Sequence, residues 1–142
     1  MIKIVKSREI ASSIDRVWGT ISNLENEQEH WPVIKNIRVL RRDGNTIERE
    51  ATIMRGPIGD VKSSQTLILD PKRSIMLKMT KGPMTGTRKI VLTPSREDGT
   101  RVDVTWEFEL QGIPEFAQSF VKNNISEVTE SALIQIAKEA ER

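Results

Sequence analysis

The sequence contains no cysteine and a single histidine among 142 residues. Without cysteine there is no disulfide framework, no thiol nucleophile and no thiolate metal site. Carboxylates alone rarely hold zinc, so the lone His30 also disfavours a transition-metal centre. We therefore expect neither a metal nor another cofactor.

Long apolar runs are also missing. No stretch approaches the roughly 20 apolar residues that a membrane-spanning helix needs, and the start MIKIVKSREI lacks the apolar core of a signal peptide. A cytoplasmic protein is the expectation. The 22 basic and 20 acidic residues nearly cancel, so the net charge of +2 does not demand a nucleic-acid partner, and we expect none.

Motifs of common catalytic sites are absent as well. The sequence has neither a glycine-rich phosphate loop nor a G-x-S-x-G nucleophile turn. His30 ends the acidic segment 25–30. We interpret the carboxylates of this segment as solvated, and His30 as a solvated loop residue. An acid–base role of His30 at a pocket rim is the alternative. We assign no catalytic residue. Enzymatic activity stays open, with the balance against it.

The patterns that are present begin with a strand over residues 2–9 and an amphipathic helix. Ser12 and Ser13 are helix-capping types, and apolar residues then recur at helical spacing: Ile14, Val17, Trp18, Ile21 and Leu24. Residues 25–30 predict a second short helix, which Trp31-Pro32 ends.

Turn signals divide the next eighty residues into six strands. Asp43-Gly44 and Asp98-Gly99 are hairpin signals, and Gly56-Pro57, Asp70-Pro71 and Gly82-Pro83 mark further turns. The predicted strands are 33–42, 45–55, 59–69, 74–80, 85–94 and 100–111. Because the connections are short, the sheet should be antiparallel.

The last thirty residues predict one long helix, with Pro114 at its first position and its end near Ala140. At 1.5 Å per residue it would span roughly 40 Å. Its apolar stripe winds around the axis. We therefore expect residues 114–124 to face a cavity and residues 125–140 to clamp the helix to the sheet.

This order of elements resembles the START/Bet v 1-like (SRPBCC) superfamily, most closely its polyketide cyclase and coenzyme Q-binding-like branch. Trp31-Pro32, Gly82-Pro83, Gly99-Thr100 and the closing helix carry the resemblance. It implies a single α+β domain over residues 1–142 with the helix-grip fold, in which about seven antiparallel strands curve around the C-terminal helix and leave a cavity. Members bind lipids, hormones, quinones or polyketides, and a minority are enzymes.

Several polar residues fall on the predicted inner face of the sheet. Arg49 shares the side of Ile47 and Ala51, as does Arg55; Ser63 and Gln65 share that of Leu67; and Arg88 shares that of Ile90. No inward acid is evident in the strands. The arginines are therefore expected either at the cavity mouth, or at an anionic group of a ligand, or outside if the register slips.

The candidate ligand-binding residues combine these polar groups with apolar ones. Asn124 is an amide on an apolar helix face, where the alternative to a ligand contact is a satisfied core amide or a small helix kink near residues 123–126. The full predicted set is Arg49, Gln65, Leu77, Met79, Arg88, Trp106, Phe108, Phe116, Phe120 and Asn124.

Three functions remain open at this level. The leading one is binding or carriage of a small hydrophobic molecule such as a lipid, isoprenoid, quinone or polyketide. The second is a cyclase or lyase in which Arg88, Asn124 or a pocket water polarises a carbonyl. The third is a protein- or RNA-interaction module acting through the basic residues of 3–8 and 35–42. The sequence does not predict the oligomeric state.

Overall fold

A computed structural model describes residues 1–54 and 59–142. Arg55 and the Gly56-Pro57 turn lie outside the described residues. The described residues contain seven strands: β1 (Ile2–Ile10), β2 (Ile34–Asp43), β3 (Thr46–Met54), β4 (Asp60–Asp70), β5 (Ser74–Lys81), β6 (Met84–Pro94) and β7 (Thr100–Leu110). Apart from the strand end predicted at Arg55, which is outside the described residues, each predicted strand boundary lies within one residue of the observed one.

The strands form one antiparallel sheet in the order β1-β7-β6-β5-β4-β3-β2. Hairpins join β2 through β7. The helices that follow β1 carry the chain to the opposite edge of the sheet, where β2 begins, so β1 pairs with the last strand, β7. In β7, Val102, Val104, Trp106 and Phe108 are buried, as the alternation predicts. The inner face of the sheet is thereby defined.

Two helical segments follow β1. Helix α1 (Ile14–Ser22) is capped by Ser13, whose hydroxyl accepts a hydrogen bond from the Arg16 amide. A 3-10 turn (Leu24–Asn26) then leads into α2 (Glu27–His30). Trp31 and Ile34 are buried immediately after α2, so the chain enters the interior where it turns into the sheet.

Helix α3 (Glu115–Ala140) lies across the concave side of the curved sheet and contacts β1, β7, α1 and α2. The sequence predicted Pro114 as the first helical residue, but Pro114 is the cap and the helix begins one position later, at Glu115. The C-terminal half buries Ala132, Leu133, Ile136 and Ala137, so the clamp predicted for residues 125–140 is confirmed from Ala132 onwards. This is the helix-grip fold. Across the described residues no helix is long and apolar enough to cross a membrane.

Candidate functional site

A cleft separates the first half of α3 from the sheet. Fourteen of the described residues line it, and twelve of these are apolar. The lining consists of Val33, Ile34, Ile53, Met54, Gln65, Leu77, Met79, Met84, Trp106, Phe120, Val121, Asn124, Ile125 and Val128. The cleft therefore offers an apolar surface with two amides in it, the usual make-up of a small-molecule site.

The cleft is narrow in this conformation. The space between α3 and the sheet is about 640 Å³ when the opening to solvent is included. The cavity volume that water molecules can occupy is only about 40 Å³. Three of the residues that line it are methionines, Met54, Met79 and Met84. These unbranched side chains change rotamer easily, so the walls can adapt to a ligand larger than the present space.

Gln65 is the more deeply buried of the two amides, with 2% of its surface exposed. Its Oε1 accepts a hydrogen bond of 2.8 Å from Nε of Arg49, and its Nε2 donates to Oγ of Ser63 at 3.3 Å. Asn124 is half-buried. Within residues 1–54 and 59–142 no side chain makes a hydrogen bond with the Asn124 amide.

Glu27 is the acid that the sequence analysis did not find. Its carboxylate accepts hydrogen bonds from Arg49 Nη1 at 2.5 Å and Nη2 at 3.0 Å, and it lies 3.5 Å from Arg88 Nη2. The interpretation of segment 25–30 as solvated is wrong for Glu27, which is 4% exposed. A signal existed: Glu27 lies three residues after Leu24 and four before Trp31, on the same helical side.

The charges of this cluster shift two pKa values. Burial raises the pKa of Glu27, but hydrogen bonds from Arg49 and the charges of Arg88 and Arg49 outweigh burial and bring it below its usual value. Burial lowers the pKa of Arg88 to about 10, against the opposing attraction of Glu27. Glu27 and Arg88 are thus both ionised at neutral pH, and the cluster holds two guanidinium groups for one carboxylate.

Arg88 is the less satisfied of the two arginines. Among the described residues its Nε and Nη1 have no hydrogen-bond partner. Its Cζ lies 4.5 Å from the ring centre of Trp31 and 5.7 Å from that of Trp106, so cation–π contacts replace part of its hydration. Arg88 lines a separate space with Glu27, His30 and Trp31, which has about 10 Å³ for the centre of a water molecule.

Trp106 forms the wall between this cluster and the cleft. It packs edge-to-face against Trp31 at 6.0 Å and against Phe108 at 6.2 Å. Its Nε1 donates to Thr129 Oγ1 at 2.9 Å, and that hydroxyl donates to the Ile125 carbonyl. The indole is therefore held by α3 as well as by the sheet.

His30 is not a solvated loop residue. It is buried, and its Nε2 lies 2.5 Å from Oε2 of Glu139 near the end of α3. The contact joins α2 to α3, away from the residues that line the cleft. The sequence could not indicate it, since the partner lies 109 positions further along the chain.

The predicted site residues divide into two groups. Gln65, Leu77, Met79, Trp106, Phe120 and Asn124 line the cleft, whereas Arg49, Arg88, Phe108 and Phe116 do not. The expectation that Phe116 faces the cavity is wrong, because the side chain is 86% exposed. Phe108 is fully buried behind Trp106, and the arginines are engaged by Glu27. The predicted set omits eight of the described lining residues: Val33, Ile34, Ile53, Met54, Met84, Val121, Ile125 and Val128. Ile125 and Val128 lie in the half of α3 that was expected to clamp the helix to the sheet.

The basic residues of the outer surface are largely balanced by acids. Lys3 pairs with Glu107 and Lys6 with Glu130 at the β1 edge. At the β2 edge, Lys35 pairs with Asp60 and Arg38 with Glu50. Each of these four cations therefore has an acidic neighbour that offsets its charge.

The fold and the cleft together define a helix-grip protein. A family model described as polyketide cyclase / dehydrase and lipid transport matches residues 1–141, and the chain belongs to this family. This result confirms the resemblance to the polyketide cyclase-like branch. No curated protein matches the chain.

Solved structures share the fold at low sequence identity. A Thermus thermophilus protein is 20% identical with a TM-score of 0.82, covering 98% of this chain and 97% of its own. A START superfamily protein from Mycobacterium smegmatis is 16% identical with a TM-score of 0.77, covering 98% and 97%. The ZhuI aromatase/cyclase from a Streptomyces species is 11% identical with a TM-score of 0.74, covering 98% and 90%. At these identities the likeness concerns the fold.

Proposed function

We propose that this protein binds a small hydrophobic molecule in the cleft between α3 and the sheet. The observation that carries the proposal is the composition of the lining, in which twelve apolar residues and two amides of the described chain surround free space. Burying apolar surface of a ligand there contributes roughly 25 cal/mol per Å². The lipid, isoprenoid, quinone or polyketide-like class expected from the sequence suits such a lining.

Thermal unfolding in the presence of 2-ethylnaphthalene, an uncharged hydrocarbon, tests the proposal. A ligand that binds the native state increases the free energy of unfolding by RT ln(1 + [L]/Kd) and thereby raises the unfolding temperature. Val128→Phe places a larger side chain in the cleft and should weaken binding at least tenfold. Val39→Phe makes the same change on the exposed face of β2 and should leave binding unchanged. No stabilisation of the wild-type protein by 2-ethylnaphthalene or by its ketone analogue 2-acetylnaphthalene would refute the proposal.

Native mass spectrometry of freshly purified protein provides a second measurement. A binder should retain a co-purifying compound, or take up 2-ethylnaphthalene at one molecule per chain. The same spectra report the oligomeric state.

A cyclase or lyase activity is the second candidate. The observation in its favour is Arg88, whose Nε and Nη1 lack partners among the described residues and whose Cζ lies 5.7 Å from the ring centre of Trp106. Rotation of that indole would open a path from the cleft to a cation able to polarise a carbonyl. The test incubates the protein with an aromatic poly-β-ketone and follows its mass. Loss of water that Arg88→Met abolishes would support the activity; an unchanged mass would exclude it for that substrate.

A further inference from the structure

The two ends of the Gln65 amide lie in different surroundings. Oε1 receives the 2.8 Å hydrogen bond from Arg49 Nε, and Nε2 faces Ser63 Oγ at 3.3 Å. Arg49 is itself held by Glu27 through both of its terminal nitrogens. A chain of three buried side chains, Glu27, Arg49 and Gln65, thus runs from α2 to the wall of the cleft.

This chain decides which way the amide points. A guanidinium has donors and no acceptor, so a rotated amide would set its NH2 group against the Arg49 N–H. Two buried donors would then face each other without an acceptor, which costs the desolvation of both. Arg49 is therefore a positioning residue, and Gln65 keeps its oxygen toward Arg49 and its NH2 group away from it.

The NH2 group has hydrogen-bonding capacity to spare. It carries two N–H donors, and within the described parts of the chain Ser63 takes one of them, at a long distance. Gln65 also lines the cleft. The polar group that Gln65 can offer a cleft ligand is consequently a donor.

We propose that the cleft selects an uncharged hydrophobic molecule carrying a carbonyl or similar oxygen, which accepts a hydrogen bond from Nε2 of Gln65. The inference rests on the proposed function and adds the chemical class of the ligand. The matching pair is a neutral donor on the protein and a neutral acceptor on the ligand, which buries no charge.

A carboxylate or phosphate fits this cleft less well. Transferring an anion into an apolar cleft carries a large desolvation cost unless a cation pairs with it directly. Of the described residues, neither Arg49 nor Arg88 lines the cleft, and Glu27 already neutralises one of these two cations. Trp106 stands between Arg88 and the cleft.

Three naphthalenes with the same ring system test the selection: 2-acetylnaphthalene, 2-ethylnaphthalene and 2-naphthoate. The ketone should bind about tenfold more tightly than the hydrocarbon, the gain typical of one buried hydrogen bond. The naphthoate should bind more weakly than the ketone. Dissociation constants from isothermal titration calorimetry give both ratios.

Two variants ask whether Gln65 is responsible. Gln65→Leu should reduce the ketone-to-hydrocarbon ratio to about one while hydrocarbon binding persists. Gln65→Glu keeps an acceptor for Arg49, which guards against loss of folding, but removes the donor and should also abolish the ratio. The matched control Gln135→Leu, on the exposed side of α3, should retain the wild-type ratio. Circular dichroism verifies that each variant is folded.

The outcomes separate the two proposals. Equal binding of ketone and hydrocarbon by the wild type, tighter binding of naphthoate, or an unchanged ratio in Gln65→Leu would overturn the selection and leave the proposed function standing. Failure of all three compounds to bind would overturn the proposed function and this inference with it.

Discussion

Glu27 and Arg49 join the short helix α2 to strand β3 through two hydrogen bonds, 2.5 and 3.0 Å long, inside the protein. The side chains of Arg49 and Glu27 are 1% and 5% exposed. Such a pair is a weak source of net stability, but removing one partner leaves the other charge buried alone. The consequences can be measured.

Glu27→Gln should destabilise the protein by about 3–5 kcal/mol, because it leaves Arg49 and Arg88 as two buried cations without a counter-charge. Urea unfolding followed by tryptophan fluorescence gives the free energy of unfolding. Glu29→Gln makes the same change at an exposed position of α2 and should stay within about 0.5 kcal/mol of the wild type. A loss below about 1 kcal/mol in Glu27→Gln would contradict the prediction.

The same pair predicts a dependence of stability on pH. The folded state lowers the pKa of Glu27 below its usual 4.5, so the unfolded state binds more protons below that value. The stabilisation is therefore complete above pH 4.5 and is lost as the pH falls through the folded-state pKa.

The measurement compares the wild type with Glu27→Gln between pH 3 and pH 7. The difference in unfolding free energy between the two proteins should be largest near neutrality and shrink below about pH 4.5. Because Glu29→Gln retains Glu27, its difference from Glu27→Gln should show the same trend. A difference that does not change with pH would argue against an ionised Glu27 in the folded state.

The two arginines should respond differently to loss of charge. Arg49→Met removes both hydrogen bonds to Glu27 and one to Gln65, and should cost about 3–5 kcal/mol. Arg88→Met removes a cation whose pKa is lowered to about 10 by burial, together with two N–H groups that lack partners in the described chain.

Relief of this desolvation offsets the lost cation–π contacts and the lost 3.5 Å contact with Glu27, which retains its two hydrogen bonds from Arg49. Arg88→Met should therefore lie within about 1 kcal/mol of the wild type. Each variant is the control of the other, since both replace a buried arginine on the sheet by methionine. Equal losses in the two variants would show that Arg88 is better satisfied than its contacts indicate.

Gly86 in β6 is required where two strands come into close contact. A Cβ atom at this position would lie 2.1 Å from the Glu107 carbonyl oxygen and 2.6 Å from the Phe108 Cα, and the φ angle is +146°. Gly86→Ala should therefore cost about 3 kcal/mol or more.

Gly19 provides the matched control in α1, since a Cβ there has no atom within 4 Å. Gly19→Ala should be neutral or stabilise the protein by up to about 1 kcal/mol. Thermal or urea unfolding of the two variants gives both values. A Gly86→Ala variant as stable as the wild type would mean that β6 shifts away from β7.

Much of the cleft could be predicted because it follows local rules. Gln65, Leu77, Met79 and Trp106 fall on the inner face by strand alternation, and a period of two leaves no choice once one face is buried. The helix positions were less certain. Phe120 and Asn124 reach the cleft, whereas Phe116 lies one turn earlier and is exposed, since where α3 leaves the sheet depends on the position of the whole helix.

The sequence by itself determined the order of the elements, the strand boundaries and the family resemblance, because turn chemistry and apolar periodicity act over a few residues. Alternation also favoured the inner face for Arg49 and Arg88, but it left an outward register open. The tertiary structure alone decided what those arginines do. Glu27 lies 22 positions from Arg49 and 61 from Arg88, and His30 finds Glu139 across most of the chain. The way α2 and α3 pack on the sheet determines these partners, because packing brings together residues whose sequence patterns are independent.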